Sequence, residues 1–179
     1  MMIKRERVES LESQYFQFCW ELYISAFPQE ERRDKEYHHE TMQIENFHFD
    51  VVLSDGSPIG ILAWWEFKEW RFVEHFATDS TRRGEGFGAK ILTQFAAESS
   101  KPIILEVEHP IEEICRRRIG FYQRLGFVLN DHHYEHPSYQ QKEGEVVSLM
   151  IMSYPEPISS EQLKEYVDSY LPIIHFRNF

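Results

Sequence analysis

Glycine recurs at alternating positions in the run Thr78-Asp79-Ser80-Thr81-Arg82-Arg83-Gly84-Glu85-Gly86-Phe87-Gly88-Ala89. A strand pattern leads into this run. An amphipathic helix pattern with Phe87, Ile91, Leu92, Phe95 and Ala96 leads out of it. Glycines let successive backbone N–H groups point into one concavity, because no Cβ stands in the way. The start of the following helix adds the positive end of its dipole. That combination suits a phosphate or pyrophosphate, with Arg82 and Arg83 as further positive charge at the rim. A tight turn that only joins strand to helix is the plainer alternative. A Walker loop is excluded, because no Gly-Lys-Ser/Thr follows. A Rossmann-type, NAD(P)-binding oxidoreductase stays open. Gly84-x-Gly86-x-x-Ala89 fits the tolerant dinucleotide fingerprint, and Glu106 or Glu108 closes the next strand. Against it stand the polar stretch before the first glycine and the lack of β-α repeats after Asn130.

A second segment, Ile119-Gly120-Phe121-Tyr122-Gln123-Arg124-Leu125-Gly126-Phe127, brings a helix to an end in Gly-Phe and a strand. Taken with Arg83-x-x-Gly86-x-Gly88, and with Leu105-Glu106-Val107-Glu108 between them, it resembles the GNAT superfamily of acyl-CoA-dependent N-acyltransferases. The resemblance covers roughly Val51 to Met152. It implies a mixed α/β (α+β) fold: a mostly antiparallel central sheet splayed between strands 4 and 5 and flanked by helices. It also implies acetyl-CoA as co-substrate. The backbone of Phe76, Ala77 and Thr78 would bond the pantetheine arm. The amides of Arg83, Gly84, Gly86, Phe87, Gly88 and Ala89 would hold the pyrophosphate, and Arg83 fills the motif's Gln/Arg position. Tyr122 matches the tyrosine that protonates the leaving thiolate in many members. One departure is Cys115, which stands where many members carry an asparagine.

The implied reaction is acetyl transfer to a primary amine by direct attack in a ternary complex. It needs a base to free the amine and a donor for the oxyanion. Glu74 is the first candidate base, because strand alternation puts it on the face of Thr78. Glu106 and Glu108 share a face on the next strand and come second. Each could instead bind a cationic substrate or pair with an arginine. Arg116, Arg117 and Arg118 read as a solvated helix face. His38-His39 and His132-His133 with His136 raise a metal hypothesis, but no cysteine supports it and structural-zinc spacing is absent, so no metal is expected. Trp64, Trp65, Phe67, Trp70 and Phe72 read mainly as core. A non-catalytic acyl-CoA-binding module is a further alternative.

These residues need elements to place them. The pattern predicts a strand at Ile3–Val8, a helix carrying Leu11, Tyr15, Phe18, Leu22 and Ala26, and a highly charged stretch, Gln29–Gln43, as a second, exposed helix or loop-helix. Strands follow at Asn46–Leu53, Ile59–Lys68 and Arg71–Thr78, with an Asp55-Gly56 turn between the first two. After the glycine helix come a strand at Ile103–Glu108 and a helix with Ile111, Ile114, Cys115, Ile119, Tyr122 and Leu125 inward. Strands Phe127–Asn130 and Val146–Met152 then flank an irregular segment, Asp131–Glu145. Ser159-Ser160-Glu161-Gln162 reads as a capping box for a last helix. One domain is expected over 1–179, with the motif-bearing core at about 51–152 and a helical tail at 159–179.

Nineteen basic against thirty acidic side chains leave a net charge of −11, which argues against nucleic acid as a partner. No apolar run approaches the roughly 20 residues that cross a bilayer, so no membrane partner is expected. The N-terminal residues show no export signal. The two cysteines, Cys19 and Cys115, read as reduced, buried thiols. A cytoplasmic setting is the expectation, with a small-molecule or peptide amine as substrate. The aromatic strands and the tail Ile173–Phe179 suggest a homodimer surface.

Overall fold

Apolar alternation produces strands throughout, and the polar positions decide how helices attach to them. The computed structural model describes residues 2–139 and 145–178. The chain divides into two compact units, Met1–Lys101 and Pro102–Phe179.

The first unit is an antiparallel meander. Strands β1 (Ile3–Arg7), β2 (Phe47–Ser54), β3 (Ser57–Glu66) and β4 (Arg71–Thr78) pair in sequence order. Helices α1 (Phe16–Ala26) and α2 (Lys35–Met42) precede β2, and α3 (Phe87–Ala97) follows β4. Asp55 and Gly56 turn β2 into β3 with φ of 49° and 86°. The first helix starts later than its periodicity suggests. Ser10 and Ser13 take the chain through hydrogen-bonded turns before Phe16, and Leu11 is left exposed.

The charged stretch expected to be exposed buries five side chains: Arg33, Tyr37, His38, Thr41 and Met42. Its charges lie on the outer side of α2, at Lys35, Glu36, His39 and Glu40. Asp34 caps this helix by accepting from the Tyr37 amide at 2.8 Å. Low overall hydropathy thus conceals a buried stripe.

β4 carries one residue more than β3 can match. Ala63 faces His75 and Trp64 faces Val73, so Glu74 is the extra residue of a bulge. Glu74 and His75 both project toward α1 and α2. The Trp65 indole donates to Glu74, and the Tyr23 ring packs on His75. Phe76 and Thr78 lie over Leu62 and Gly60 on the opposite face. That is the face of Trp64, whose ring meets Phe95 of α3 at 5.0 Å.

In the second unit β7 (Val146–Tyr154) lies between β5 (Ile103–Val107) and β6 (Val128–Pro137), antiparallel to both. Helix α4 (Glu113–Arg124) joins β5 to β6. After β7 come α5 (Ser160–Glu165), one π-type turn at Tyr166–Tyr170, and a short α6 (Leu171–Ile174). The Ser159–Gln162 capping box forms, with its two bonds at 2.8 and 3.2 Å.

Two expectations change here. Ile111 is exposed because α4 begins only at Glu113, and Ile114, in the first turn of that helix, is exposed as well. Much of the segment taken as irregular is strand. β6 runs on to Pro137 across a break in register between Asn130 and Tyr134. Asn130 stabilises that break: its amide donates to the Ile151 carbonyl and the Ser153 hydroxyl, and its Oδ1 accepts from the Ile158 amide. Residues 140–144 of that segment, and Phe179 of the tail, lie outside the described residues. Every described pairing within the two units is antiparallel, so the parallel sheet required by the oxidoreductase alternative is not what these strands build. The mixed α/β, mostly antiparallel architecture is. No described helix is long and apolar enough to cross a membrane.

His38 gives this fold a measurable pH response. Its ring is buried against Trp20, Tyr23 and Phe49, and neither nitrogen has a hydrogen-bond partner among the described residues. Burial, with the Arg33 charge second, lowers its pKa from 6.5 to about 3. The unfolded chain therefore takes up the proton first as pH falls. Stability drawn from this residue is complete above 6.5 and is lost as pH drops from there toward 3, by about 1.4 kcal/mol per pH unit within the window. His38→Phe is expected to flatten that part of a stability–pH curve measured by denaturant unfolding. An unchanged slope in the variant would assign the acid sensitivity to other groups.

Candidate active site

The glycine run is a loop on a fixed base. Asp79 leaves β4 with its amide bonded to the Ile59 carbonyl at 2.8 Å. Its carboxylate accepts from the Thr81 amide and hydroxyl, and those bonds hold it below the usual carboxylate range. The chain then makes one 3-10 turn, Ser80–Arg82. Gly84 and Gly86 follow with φ of 86° and 75°. A Cβ on either would meet nothing within 4 Å, so the requirement for glycine is conformational rather than steric. Gly86 takes the cap position of α3 without a side-chain cap. Its carbonyl receives the Lys90 amide at 3.2 Å, the first backbone bond of the helix. The amides from Gly84 through Ala89 have no acceptor among the described residues and lie at the positive end of an eleven-residue helix.

The two rim arginines differ. Arg82 forms a two-bond pair with Glu85 (2.5 and 2.9 Å) and lies over the Phe87 ring. The pair holds the Glu85 carboxyl below its usual range. Arg83 is exposed, in extended backbone (φ −63°, ψ 145°).

Helix α3 is tied to β4 at its far end as well. Arg71, the first residue of β4, is buried. Its guanidinium donates to the carbonyls of Phe95 (2.6 Å), Ala96, Ser99 and Lys101. A cation there satisfies carbonyls that a helix end leaves open and complements the dipole. At the other end of β4, Phe76, Ala77 and Thr78 are half-buried. Gly60 of β3 crosses so near them that a Cβ would stand 2.7 Å from the Ala77 carbonyl oxygen. The strand end expected to meet the pantetheine arm is therefore backed by close main-chain packing.

Glu74 is placed differently from the expectation that made it the first candidate base. The bulge turns it away from the face of Thr78. Its side chain has no solvent exposure, and both oxygens are engaged: Arg33 bonds Oε1 at 2.7 Å and Oε2 at 2.9 Å, and the Trp65 indole bonds Oε2 at 3.0 Å. Arg33 is equally buried, within 6 Å of the Tyr37, Phe47 and Trp65 rings. A carboxylate so held serves as a counter-ion.

In the second unit Tyr122 is buried near the end of α4, between the Phe121 and Phe127 rings. Burial pushes its hydroxyl up to about 12, partly offset by Arg118. It therefore stays protonated at neutral pH. The Gly-Phe that follows closes the helix. Gly126 adopts φ 91°, its amide bonds Gln123 at 3.0 Å, and the Phe127 amide bonds Tyr122 at 3.1 Å. This is a Schellman ending, which needs a left-handed residue at that position. Arg118 pairs with Glu108 at 2.6 Å, Arg116 donates to the Pro110 and Ile111 carbonyls, and Arg117 is exposed. Cys115 is buried.

Glu106 is half-buried on β5 and has no cationic partner among the described residues. The hydroxyls of Tyr134 and Tyr166 both bond its Oε1. Burial first, and then the Glu106 charge, push the Tyr134 hydroxyl well above its usual range. Sequence reasoning missed these tyrosines, as it missed Arg33. Only the Tyr166 position carried a signal, as an inward residue of the capped tail helix. The loop histidines do not gather. His132 meets the Ile158 carbonyl, His133 is exposed beside Glu135, and His136 is buried against His175. No three His, Cys, Asp or Glu side chains converge as metal ligands would among the described residues.

Comparison with known proteins agrees with this geometry. The acetyltransferase (GNAT) domain family matches residues 45–129. A protein of Bacillus subtilis (strain 168), named as the candidate acetyltransferase YjbC, is 30% identical over 156 residues, covering 83% of this chain and 77% of its own. A solved structure from Bacteroides thetaiotaomicron, named as a candidate GNAT-family acetyltransferase, is 36% identical with a TM-score of 0.86, covering 96% of this chain and 97% of its own. The ribosomal-protein-S18-alanine N-acetyltransferase of Escherichia coli shares the fold at 18% identity and a TM-score of 0.58, over 89% of this chain and 97% of its own. The glycine loop, the Tyr-x-x-x-Gly-Phe helix end and these similarities converge: the chain belongs to the GNAT family of acetyltransferases.

Proposed function

We propose that the protein transfers an acetyl group from acetyl-CoA to a primary amine by direct attack in a ternary complex. The observation that carries this reading is the loop from Gly84 to Ala89. Its amides have no acceptor among the described residues, its two left-handed glycines are required by conformation alone, and open space lies where their side chains would be. A diphosphate is the ligand such a nest accepts. Acetyl-CoA supplies an acyl carbon activated as a thioester. The loop amides and Arg83 hold the pyrophosphate, and the β4 backbone at Phe76, Ala77 and Thr78 bonds the pantetheine arm. A main-chain N–H of β4 steadies the oxyanion as the amine adds to the carbonyl carbon. The C–N bond forms and the C–S bond breaks. Tyr122 donates its hydroxyl proton to the departing sulfur, and the phenolate recovers a proton, directly or through water, as the new amide nitrogen loses its second one.

Of the three carboxylates considered for the base, Glu74 is neutralised by Arg33 and Glu108 by Arg118. Glu106 alone meets no cation among the described residues, so it takes the ammonium proton, directly or through a water. A protein that binds acyl-CoA without turnover would share the loop and would not need Tyr122 or Glu106.

The test is release of free thiol from acetyl-CoA across a panel of small and peptide amines, paired with thermal unfolding in the presence of CoA or NAD. Turnover on at least one amine and stabilisation by CoA are expected. Stabilisation by NAD alone would overturn the assignment. Tyr122→Phe is expected to lower kcat about 100-fold or more while the CoA-induced thermal shift is kept; a variant with parental kcat would remove the phenol from the chemistry. Glu106→Gln and Glu74→Gln should separate. The first is expected to lose turnover with little change in melting temperature, the second to lose folding stability by about 3 kcal/mol through stranding Arg33. Reversal of that pattern would return the base to Glu74.

A further inference from the structure

Both oxygens of Glu74 are paired. Glu106 is built otherwise. Tyr134 reaches its Oε1 from β6, and Tyr166 reaches the same atom at 3.2 Å from the turn after α5. Both tyrosines are buried, at 2% and 0% exposure, with ring centroids 6.0 Å apart. The second oxygen, Oε2, has no partner among the described residues, and the residue keeps some solvent contact. Two bonds converging on one oxygen fix the side chain in one rotamer and leave the other oxygen to serve whatever approaches.

We propose that Tyr134 and Tyr166 are positioning residues that lock Glu106 so that Oε2 receives the proton of the acceptor ammonium. This rests on the reading of Glu106 as the base. The proton moves from the amine nitrogen to Oε2. The carboxyl is then neutral, its Oε1 still accepts both phenol bonds, and the nitrogen holds a free electron pair for attack. The proton returns to solvent after the amide leaves. The acceptor is accordingly an amine that arrives as an ammonium ion. The C-terminal segment thereby contributes to the reaction through Tyr166 rather than only covering a core.

The full chain tests this with Tyr134→Phe, Tyr166→Phe and the double variant, assayed on the best amine of the panel across the acidic and neutral range. kcat should fall several-fold, and KM for acetyl-CoA and the CoA-induced thermal shift should match the parent. Parental kcat in both single variants, with Glu106→Gln inactive, would overturn the positioning role and leave the base in place. An active Glu106→Gln would overturn the base, and the positioning role with it. Should either phenylalanine variant lack a cooperative melt, 3-fluorotyrosine placed at 166 keeps the shape and strengthens the donor. It is expected to keep the parental kcat, and a several-fold loss there would again count against the proposal.

Discussion

Arg33 and Glu74 face each other with no solvent contact, and much of the first unit follows from that pair. Two charges taken out of water cost several kcal/mol each unless their geometry is close and their remaining hydrogen-bonding capacity is met. Here two short bonds join the charges, the Trp65 indole adds a bond to the carboxylate, and aromatic rings line the guanidinium. For the carboxylate to reach Arg33, β4 must gain one residue against β3. That is the bulge, and it reverses the facing of everything beyond it. Phe76 and Thr78 therefore look to the α3 side although simple alternation would align them with Glu74. The same pair explains why a stretch as polar as Gln29–Gln43 is held in place: Arg33 anchors it, the Tyr23 hydroxyl accepts the Arg33 amide, and Tyr37 and His38 pack beside it.

Beyond the bulge, strand and helix are fixed with respect to each other by main-chain contacts. Gly60 admits β3 against the Ala77 carbonyl, and the Asp79 amide is held by Ile59. At the opposite end Arg71 collects the carbonyls that finish α3. The glycine loop is thus suspended between two anchored points. The Asp79–Thr81 and Arg82–Glu85 bonds shape the loop between them, and its amides from Gly84 to Ala89 are left without partners among the described residues. A site prepared in this way loses little conformational entropy when an anion arrives.

The sequence was legible where one local rule decided the outcome. β4 from Arg71 to Thr78, the opening of α3 at Phe87, the Ser159 capping box and the Gly126-Phe127 helix ending all follow from residue type and short spacing. It misled where a distant partner decided. Nothing near Glu74 signals a bulge, because the cause is an arginine forty-one positions earlier. Ile114 fits the helical stripe of α4 yet is exposed, and β6 continues past Asn130 because that side chain bonds β7 and the segment after it. The family motifs single out Arg83 and Tyr122 by type and order, but they carry no information on what holds a carboxylate.

That last point separates the acidic residues by their surroundings. Glu74, Glu106 and Glu108 look alike in a strand pattern, and alternation alone ranks them by face. Their partners rank them otherwise. A guanidinium beside a carboxylate occupies lone pairs a base would use, as Arg33 does at Glu74 and Arg118 does at Glu108. Phenols bring direction without a full charge. On one oxygen of Glu106 they orient the group while leaving its negative charge uncancelled, and an ammonium is the complement of an oriented, uncancelled carboxylate. The chemistry available to each glutamate is therefore set by whether the fold answers it with a cation or with a hydroxyl.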